Sequence, residues 1–164
     1  MKPGNILVRQ ATASDLPIIE RQYGLLDNIG DPFCDTSKLM KIGMTRLLVT
    51  EVNGRYAGFL YWHVGKKPFF APRVTLFAHI REVQVKEKFR RQGVGKKLTL
   101  YALHRLKALG IRNVFLAAAE TDDVARRLYE SLGFKQYRRQ LQYHLRISDS
   151  SKNGSETHLA RLVQ

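Results

Sequence analysis

Residues 90–97 read Arg-Arg-Gln-Gly-Val-Gly-Lys-Lys, and these residue types hold anions. Gly93 and Gly95 stand one residue apart, so the backbone can turn tightly and approach a ligand closely. A helical pattern begins at Val94. Its first-turn amides have no acceptor inside the helix. They also lie at the positive end of the helix dipole. Arg90, Arg91, Lys96 and Lys97 add full charges around them. The expected chemistry is a grip on phosphate or pyrophosphate, with Arg91, Gln92, Gly93, Val94, Gly95 and Lys96 supplying backbone amides. A plainer reading, a glycine turn into a basic surface helix, stays open on this segment alone.

Two further groups could act on whatever the grip holds. In Leu128-Tyr129-Glu130-Ser131-Leu132-Gly133-Phe134 a helix ends at a glycine and passes straight into a strand. Tyr129 lies about one turn before that end. It is either a core aromatic near a helix terminus or a phenol presented to the site of the glycine turn. Glu82 lies in the extended run before the turn. Val83 and Val85 share one face of that run, and Glu82 and Gln84 share the other. Glu82 is a candidate base, acting directly or through water, or else a charge on a half-exposed strand. Glu120, His79 and His63 are secondary candidates for the same task.

The elements that must position these residues follow from pattern. Asn5–Gln10 alternates like a strand. Ser14 is expected to cap a helix that carries Leu16, Ile19, Tyr23 and Leu26 on one side. Gly30-Asp31-Pro32 breaks the chain, and Asp35 or Thr36 is placed to cap a short helix through Met40–Ile42. Asn53-Gly54 between two Leu/Val-rich runs (46–52 and 55–64) is a strong hairpin signal. Arg73–Lys86 is a long extended segment. From Val94, residues Leu98, Tyr101, Ala102, Leu106 and Leu109 mark one helix face, which Gly110 ends. Asn113–Ala119 is expected as a buried strand. Thr121 or Asp122 starts a helix running through Leu132, and 134–147 is expected mostly as strand. No internal repeat is visible. Antiparallel strands followed by a βαβ unit make a mixed α/β domain, and a phosphate-binding turn after a strand puts the ligand at that strand's carboxyl end.

The chain has 164 residues, about one domain's worth, and 44% of them are apolar, enough for a core. The expected organisation is one domain over 1–147 and a polar tail over 148–164. No apolar run approaches the roughly 20 residues that cross a bilayer, and no secretory signal or membrane partner is expected. Cys34 is the only cysteine, so an internal disulfide is excluded and no cysteine-based metal site is expected. A cytoplasmic location is the expectation. The net charge of +14 favours polyanions or an anionic ligand without naming which. Residues 86–97 hold six basic residues against Glu87, and residues 126–146 hold six against Glu130.

Taken together, the glycine turn and the Tyr129 segment are similar to the GNAT family of acetyl-CoA-dependent N-acetyltransferases. The family pattern Arg/Gln-x-x-Gly-x-Gly/Ala matches Arg90, Gly93 and Gly95. Its second signature, Asn-x-x-Ala-x-x-Leu-Tyr-Glu-x-Leu-Gly-Phe, matches from Ala125 through Phe134, with Asp122 at the asparagine position. The resemblance implies an α/β fold with a mixed, mostly antiparallel sheet splayed at a cofactor wedge and flanked by about four helices. It implies acetyl-CoA as acyl donor, with its pyrophosphate on the glycine turn and its pantetheine beside Val83, Gln84 and Val85. It implies Tyr129 as general acid near the sulfur, Glu82 as a base, and the Val85 amide as an oxyanion donor. Asp122 can still cap its helix but lacks an amide donor for the pantetheine.

The acceptor implied is an amine on a small molecule, a peptide N-terminus or a lysine. The Leu-Tyr-Glu-Ser-Leu-Gly-Phe run resembles the branch that acetylates ribosomal protein N-termini, yet residues 117–119 lack an acidic residue used there. A different class stays open: a basic acyl-CoA-binding or nucleic-acid-associated module with little turnover. Steep loss of binding with salt would mark nucleic-acid contact. A polyanionic substrate such as aminoacyl-tRNA would combine the two. Phe69-Phe70 and the last strand could line an acceptor pocket or a homodimer interface.

Overall fold

The computed structural model describes residues 4–27, 46–66 and 76–139. They form five strands and three α-helices: β1 (Ile6–Gln10), α1 (Leu16–Asp27), β2 (Leu47–Val52), β3 (Arg55–Lys66), β4 (Leu76–Val85), α2 (Val94–Ala108), β5 (Asn113–Leu116) and α3 (Asp123–Ser131). One sheet runs in the order β1-β2-β3-β4-β5. The first four strands pair antiparallel, and β5 joins β4 in parallel. The Asn53-Gly54 hairpin forms with both residues left-handed, at φ 51° and 74°, the conformation of a tight primed turn.

Alternation along the strands divides the core between the two faces of the sheet. Leu48, Leu60, Trp62, Ala78 and Ile80 pack with Leu98, Ala102 and Leu106 of α2. Leu47, Val49, Phe59 and Tyr61 pack with Ile19 of α1. Leu98, Ala102 and Leu106 recur every fourth residue on one helix face, and all three are fully buried. Each leucine contributes roughly 1.5–3 kcal/mol by leaving water. Leu109, expected on the same face, is exposed. It lies past the end of α2, where its N–H still bonds the last turn while Gly110 takes a φ of 75° and leads the chain away.

The entry to α1 differs from the sequence expectation. Thr12, rather than Ser14, precedes the first turn. Its N–H and its hydroxyl both donate to Asp15 Oδ2, at 2.7 and 2.8 Å. Arg9 of β1 grips the same carboxylate with Nη1 and Nη2, at 2.7 and 2.9 Å, and reaches Glu51 of β2 at 2.7 Å. The Arg9 guanidinium therefore holds the Asp15 carboxyl well below the usual carboxylate range, against the opposing effect of its burial. A depressed carboxyl stabilises the fold above its unfolded value near 3.9, and that contribution is lost as pH falls. Asp15→Asn is expected to cost about 2 kcal/mol, or roughly 4–8 °C in Tm at pH 7. Thermal melts from pH 7 to 2.5 should show the two proteins converging below about pH 4.

Strand β5 stops at Leu116 instead of continuing to Ala119, and 134–139 carry no strand pairing. The expected helix at 40–42, Cys34, the Phe69-Phe70 pair, residues 140–147 and the 148–164 tail lie outside the described residues, and with them the expected dimer surface.

Candidate active site

The site is made by an interruption in the alternation of β4. Ala78 and Ile80 face α2. Strict alternation would put Glu82 and Gln84 on that apolar face as well. Instead the β3–β4 register slips: Tyr61 lies opposite Glu82, and Trp62 lies opposite Ile80. Arg81 is the extra residue of a β-bulge. Beyond it Val83 packs towards α2 and Val85 against Val94. Glu82 and Gln84 turn to the other face, opposite Tyr61 and Phe59. The signal was present in the sequence, where apolar spacing jumps from Ile80 to Val83, although the two face assignments were legible without it.

The same region loses its neighbour. Pairing of β4 with β5 runs from Phe77–Asn113 to Ile80–Leu116 and ends there, while β4 continues to Val85. Residues 81–85 thus border a wedge between the two strands. The Gln84 carbonyl points at Gly58 on β3, lying 2.0 Å from where a Cβ on Gly58 would be. Lys86 N–H also donates to β3, at Ala57 O. Backbone groups alternate along a strand, so those of Val83 and Val85 face the wedge. Arg90 Nε donates to Val85 O at 3.1 Å from the wedge side. Gly58 was not singled out from sequence. A glycine within an apolar strand is the available signal, since it often marks close backbone approach.

The chain then enters α2 through a left-handed turn, with φ 63° at Arg91 and 80° at Gly93. Nothing crowds the Cβ position at Gly93, so the backbone angle, not space, calls for glycine. Lys97 N–H makes the first helical bond, to Gly93 O. The amides of Val94, Gly95 and Lys96 precede it and have no acceptor within the helix. Arg91, Gln92 and Lys96 are exposed around them. At Gly95 an added Cβ would make ordinary contact, 3.4 Å from Leu128 and 3.7 Å from Val85, which fits a motif position that accepts alanine. Lys97, counted above among the charges of the grip, is turned away, and its Nζ bonds Ile6 O on β1.

Helix α3 packs its Leu128 at the start of α2 and so carries Tyr129 towards the turn. Asp122 caps α3, its carboxylate accepting from Ala125 N–H at 2.9 Å. Phe134 N–H closes the far end on Tyr129 O, and the two rings meet edge to face at 6.0 Å. Burial, then the charges of Asp122 and Glu82, push the Tyr129 phenol up to about 12. Glu82 is therefore within electrostatic reach of Tyr129. Its carboxylate accepts from Gln84 Nε2 at 3.1 Å. The secondary base candidates separate. Glu120 is exposed and paired with Arg139 at 3.6 Å, whereas His63 and His79 lie opposite one another on β3 and β4. Among the described residues no group of acidic, histidine or cysteine side chains is arranged to hold a metal ion, and no helix is long and apolar enough to cross a membrane.

A bulged strand that outruns its parallel neighbour and leads into a glycine turn with free helix amides places an anion-binding turn at the strand's carboxyl end. A profile of the acetyltransferase (GNAT) family matches residues 20–134, and the chain belongs to that family. It is 35% identical over 91 residues to mycothiol acetyltransferase of Thermomonospora curvata, a match covering 56% of this chain and 28% of that protein. It is 32% identical over 76 residues to N-alpha-acetyltransferase 30 of Schizosaccharomyces pombe, covering 46% and 51%. The chain thus spans about half, or less, of the length of these relatives. In fold it matches aminoglycoside N-acetyltransferase AAC(6')-Iy in complex with CoA, with TM-score 0.71, 16% identity and coverage of 88% and 97%. It also matches a transcriptional regulator from Bacillus halodurans, with TM-score 0.70, 24% identity and coverage of 86% and 100%.

Proposed function

We propose that the protein transfers the acetyl group of acetyl-CoA to an amine by direct attack. The observation that carries this reading is the junction of the β4 edge, unpaired beyond Ile80 among the described residues, with the Gly93 turn. The thioester supplies an activated acetyl group. A C–N bond forms as the C–S bond breaks, the ammonium loses a proton, and the departing thiolate gains one.

Each demand has a residue. The amides of Arg91, Gln92, Gly93, Val94, Gly95 and Lys96, with the charges of Arg90 and Arg91, form a cradle of the sign that pyrophosphate needs. Val83 offers its peptide groups to the pantetheine; Val85, whose carbonyl already accepts from Arg90, offers its amide, which serves the developing oxyanion. Gln84 acts from its side chain, which orients Glu82. Glu82 receives the proton of the amine, and Tyr129 donates to the sulfur. Asp122 caps α3 through the Ala125 amide. The rival reading, a polyanion-binding module without turnover, draws only on the charge of +14 and gives Tyr129 and Glu82 no task.

Acetyl-CoA at 100-fold over its Kd should stabilise the protein by about 2.7 kcal/mol, or roughly 5–10 °C in Tm. Gly93→Glu should abolish the shift, because it places a carboxylate in the anion cradle and strains a left-handed position. Differential scanning fluorimetry checks both. The acceptor class is tested by thiol release across amines, including peptides of varied N-terminus. Absence of any thermal shift with acetyl-CoA would sink the assignment of the donor.

A further inference from the structure

The transfer step leaves three residues beside Glu82 unused. His63 and His79 face each other across the β3–β4 ladder, two register steps from the Tyr61–Glu82 pair, with Trp62–Ile80 between them. The bulge inserts Arg81 between the Trp62–Ile80 and Tyr61–Glu82 steps. Arg81 Nη1 lies 3.4 Å from His79 Nδ1. A guanidinium only donates, so Nδ1 is the acceptor and the ring hydrogen of His79 sits on Nε2. That arrangement suits His79 poorly as a base, because its one lone pair is engaged. It leaves instead an N–H donor on Nε2 beside the Arg81 guanidinium. Arg9, Arg126 and Arg139 make their ion pairs elsewhere in the fold. Arg81 and His63 are exposed, and His79 is half-buried.

This grouping has the chemistry of an oxyanion receptor. A planar guanidinium binds carboxylate or phosphate through two parallel bonds, and an imidazole N–H adds a third. Resting on the acetyltransferase reading, we propose that Arg81, His79 and His63 form an anion subsite beside Glu82, and that the acceptor amine carries a carboxylate or phosphate group. Glu82 then meets the amine and the subsite meets the anion, so the two ends of one acceptor are read by neighbouring positions of one strand. Burial and the neighbouring Arg81 and His63 hold His79 towards its neutral form. A bound anion would oppose those two charges and favour its imidazolium.

The first test needs no acetyl-CoA. Inorganic phosphate is titrated into the full chain at pH 7 while the histidine ring resonances are followed by NMR. Saturating shifts of His79 and His63 are expected, with the His79 titration moved to higher pH. Arg81→Ala, at an exposed position, should weaken the apparent phosphate affinity at least tenfold, and Arg81→Lys should restore only part of it. Unchanged His79 resonances, or the same saturation in Arg81→Ala, would overturn the subsite. The second test compares thiol release with alanine against alaninamide, and with O-phosphoethanolamine against ethanolamine. An advantage of tenfold or more in kcat/KM for one anionic member, lost in Arg81→Ala, supports the proposal and tells carboxylate from phosphate. Transfer to the neutral amines with no such advantage rejects the anionic acceptor. Transfer to none of the amines counts against the acetyltransferase reading, while the phosphate titration still judges the subsite by itself.

Discussion

Tyr129→Phe is expected to lower kcat by about 10²–10³-fold, the range of a lost general acid, and to leave the KM for acetyl-CoA within about twofold. The phenol is pushed up to about 12 by burial first and by the charges of Asp122 and Glu82 second. It therefore stays protonated at neutral pH and is a donor whenever a thiolate departs. Phenylalanine keeps the edge contact with Phe134 and the packing of α3 and removes only the proton. A loss confined to kcat identifies an interaction made in the transition state. The sign of the shift adds a second readout. A phenol raised above its ordinary value of 10 cannot impose a falling limb on kcat until well above pH 10. A kcat profile with a midpoint near 10 that vanishes in Tyr129→Phe would contradict this environment. Equal turnover of the two proteins would reduce Tyr129 to packing.

The second large effect is expected at Gly58. An alanine Cβ there would lie 2.0 Å from Gln84 O and 3.0 Å from Val85 Cα. These are backbone atoms held in the sheet, so the strands must part. Gly58→Ala should cost on the order of 3 kcal/mol or more, a fall of at least 6–12 °C in Tm for a domain of this size. Whatever folded fraction remains should bind acetyl-CoA more weakly, since the displaced segment includes Val83 and Val85. Two other glycines serve as controls. At Gly65 the obstacle is the ring of Phe77 at 2.4 Å, a side chain that can turn aside. At Gly54 nothing lies within 4 Å, but φ is +74°, so alanine should cost only about 1 kcal/mol. Thermal melts by circular dichroism should rank Gly58→Ala as the most damaging. An equal ranking would show that β3 and β4 can slide apart freely.

Features governed by neighbouring residues were legible in the sequence. Asn53-Gly54 dictates its hairpin because few other pairs tolerate two left-handed residues. The glycine turn and the fourfold repeat of Leu98, Ala102 and Leu106 likewise declare themselves. What was not legible depends on partners distant in the chain. Thr12 displaces Ser14 as the entry to α1 because Arg9, itself held by Glu51 of β2, fixes the Asp15 carboxylate. Strand β5 ends at Leu116 because its partner β4 bends away at the bulge, and no local property of Ala117–Ala119 announces that. Lys97 leaves the grip because a carbonyl of β1 lies within reach. In the site, the chemical identities of Tyr129 and Glu82 could be read from the chain, but the role of Gly58 appears only when Gln84 is seen behind it.

The open edge of β4 has a consequence for the molecule in a crowded solution. Unpaired peptide groups along a strand invite pairing with another chain, the first step towards aggregation. Among the described residues the unpaired stretch of this edge is limited to 81–85, a bulge distorts its start, and Arg81 and Lys86 bracket it with positive charge. Arg90 already occupies the Val85 carbonyl. A foreign strand would find a short template, broken by a bulge and positively charged at both ends. The wedge can therefore stand open between turnovers without becoming a seam along which copies of the protein join.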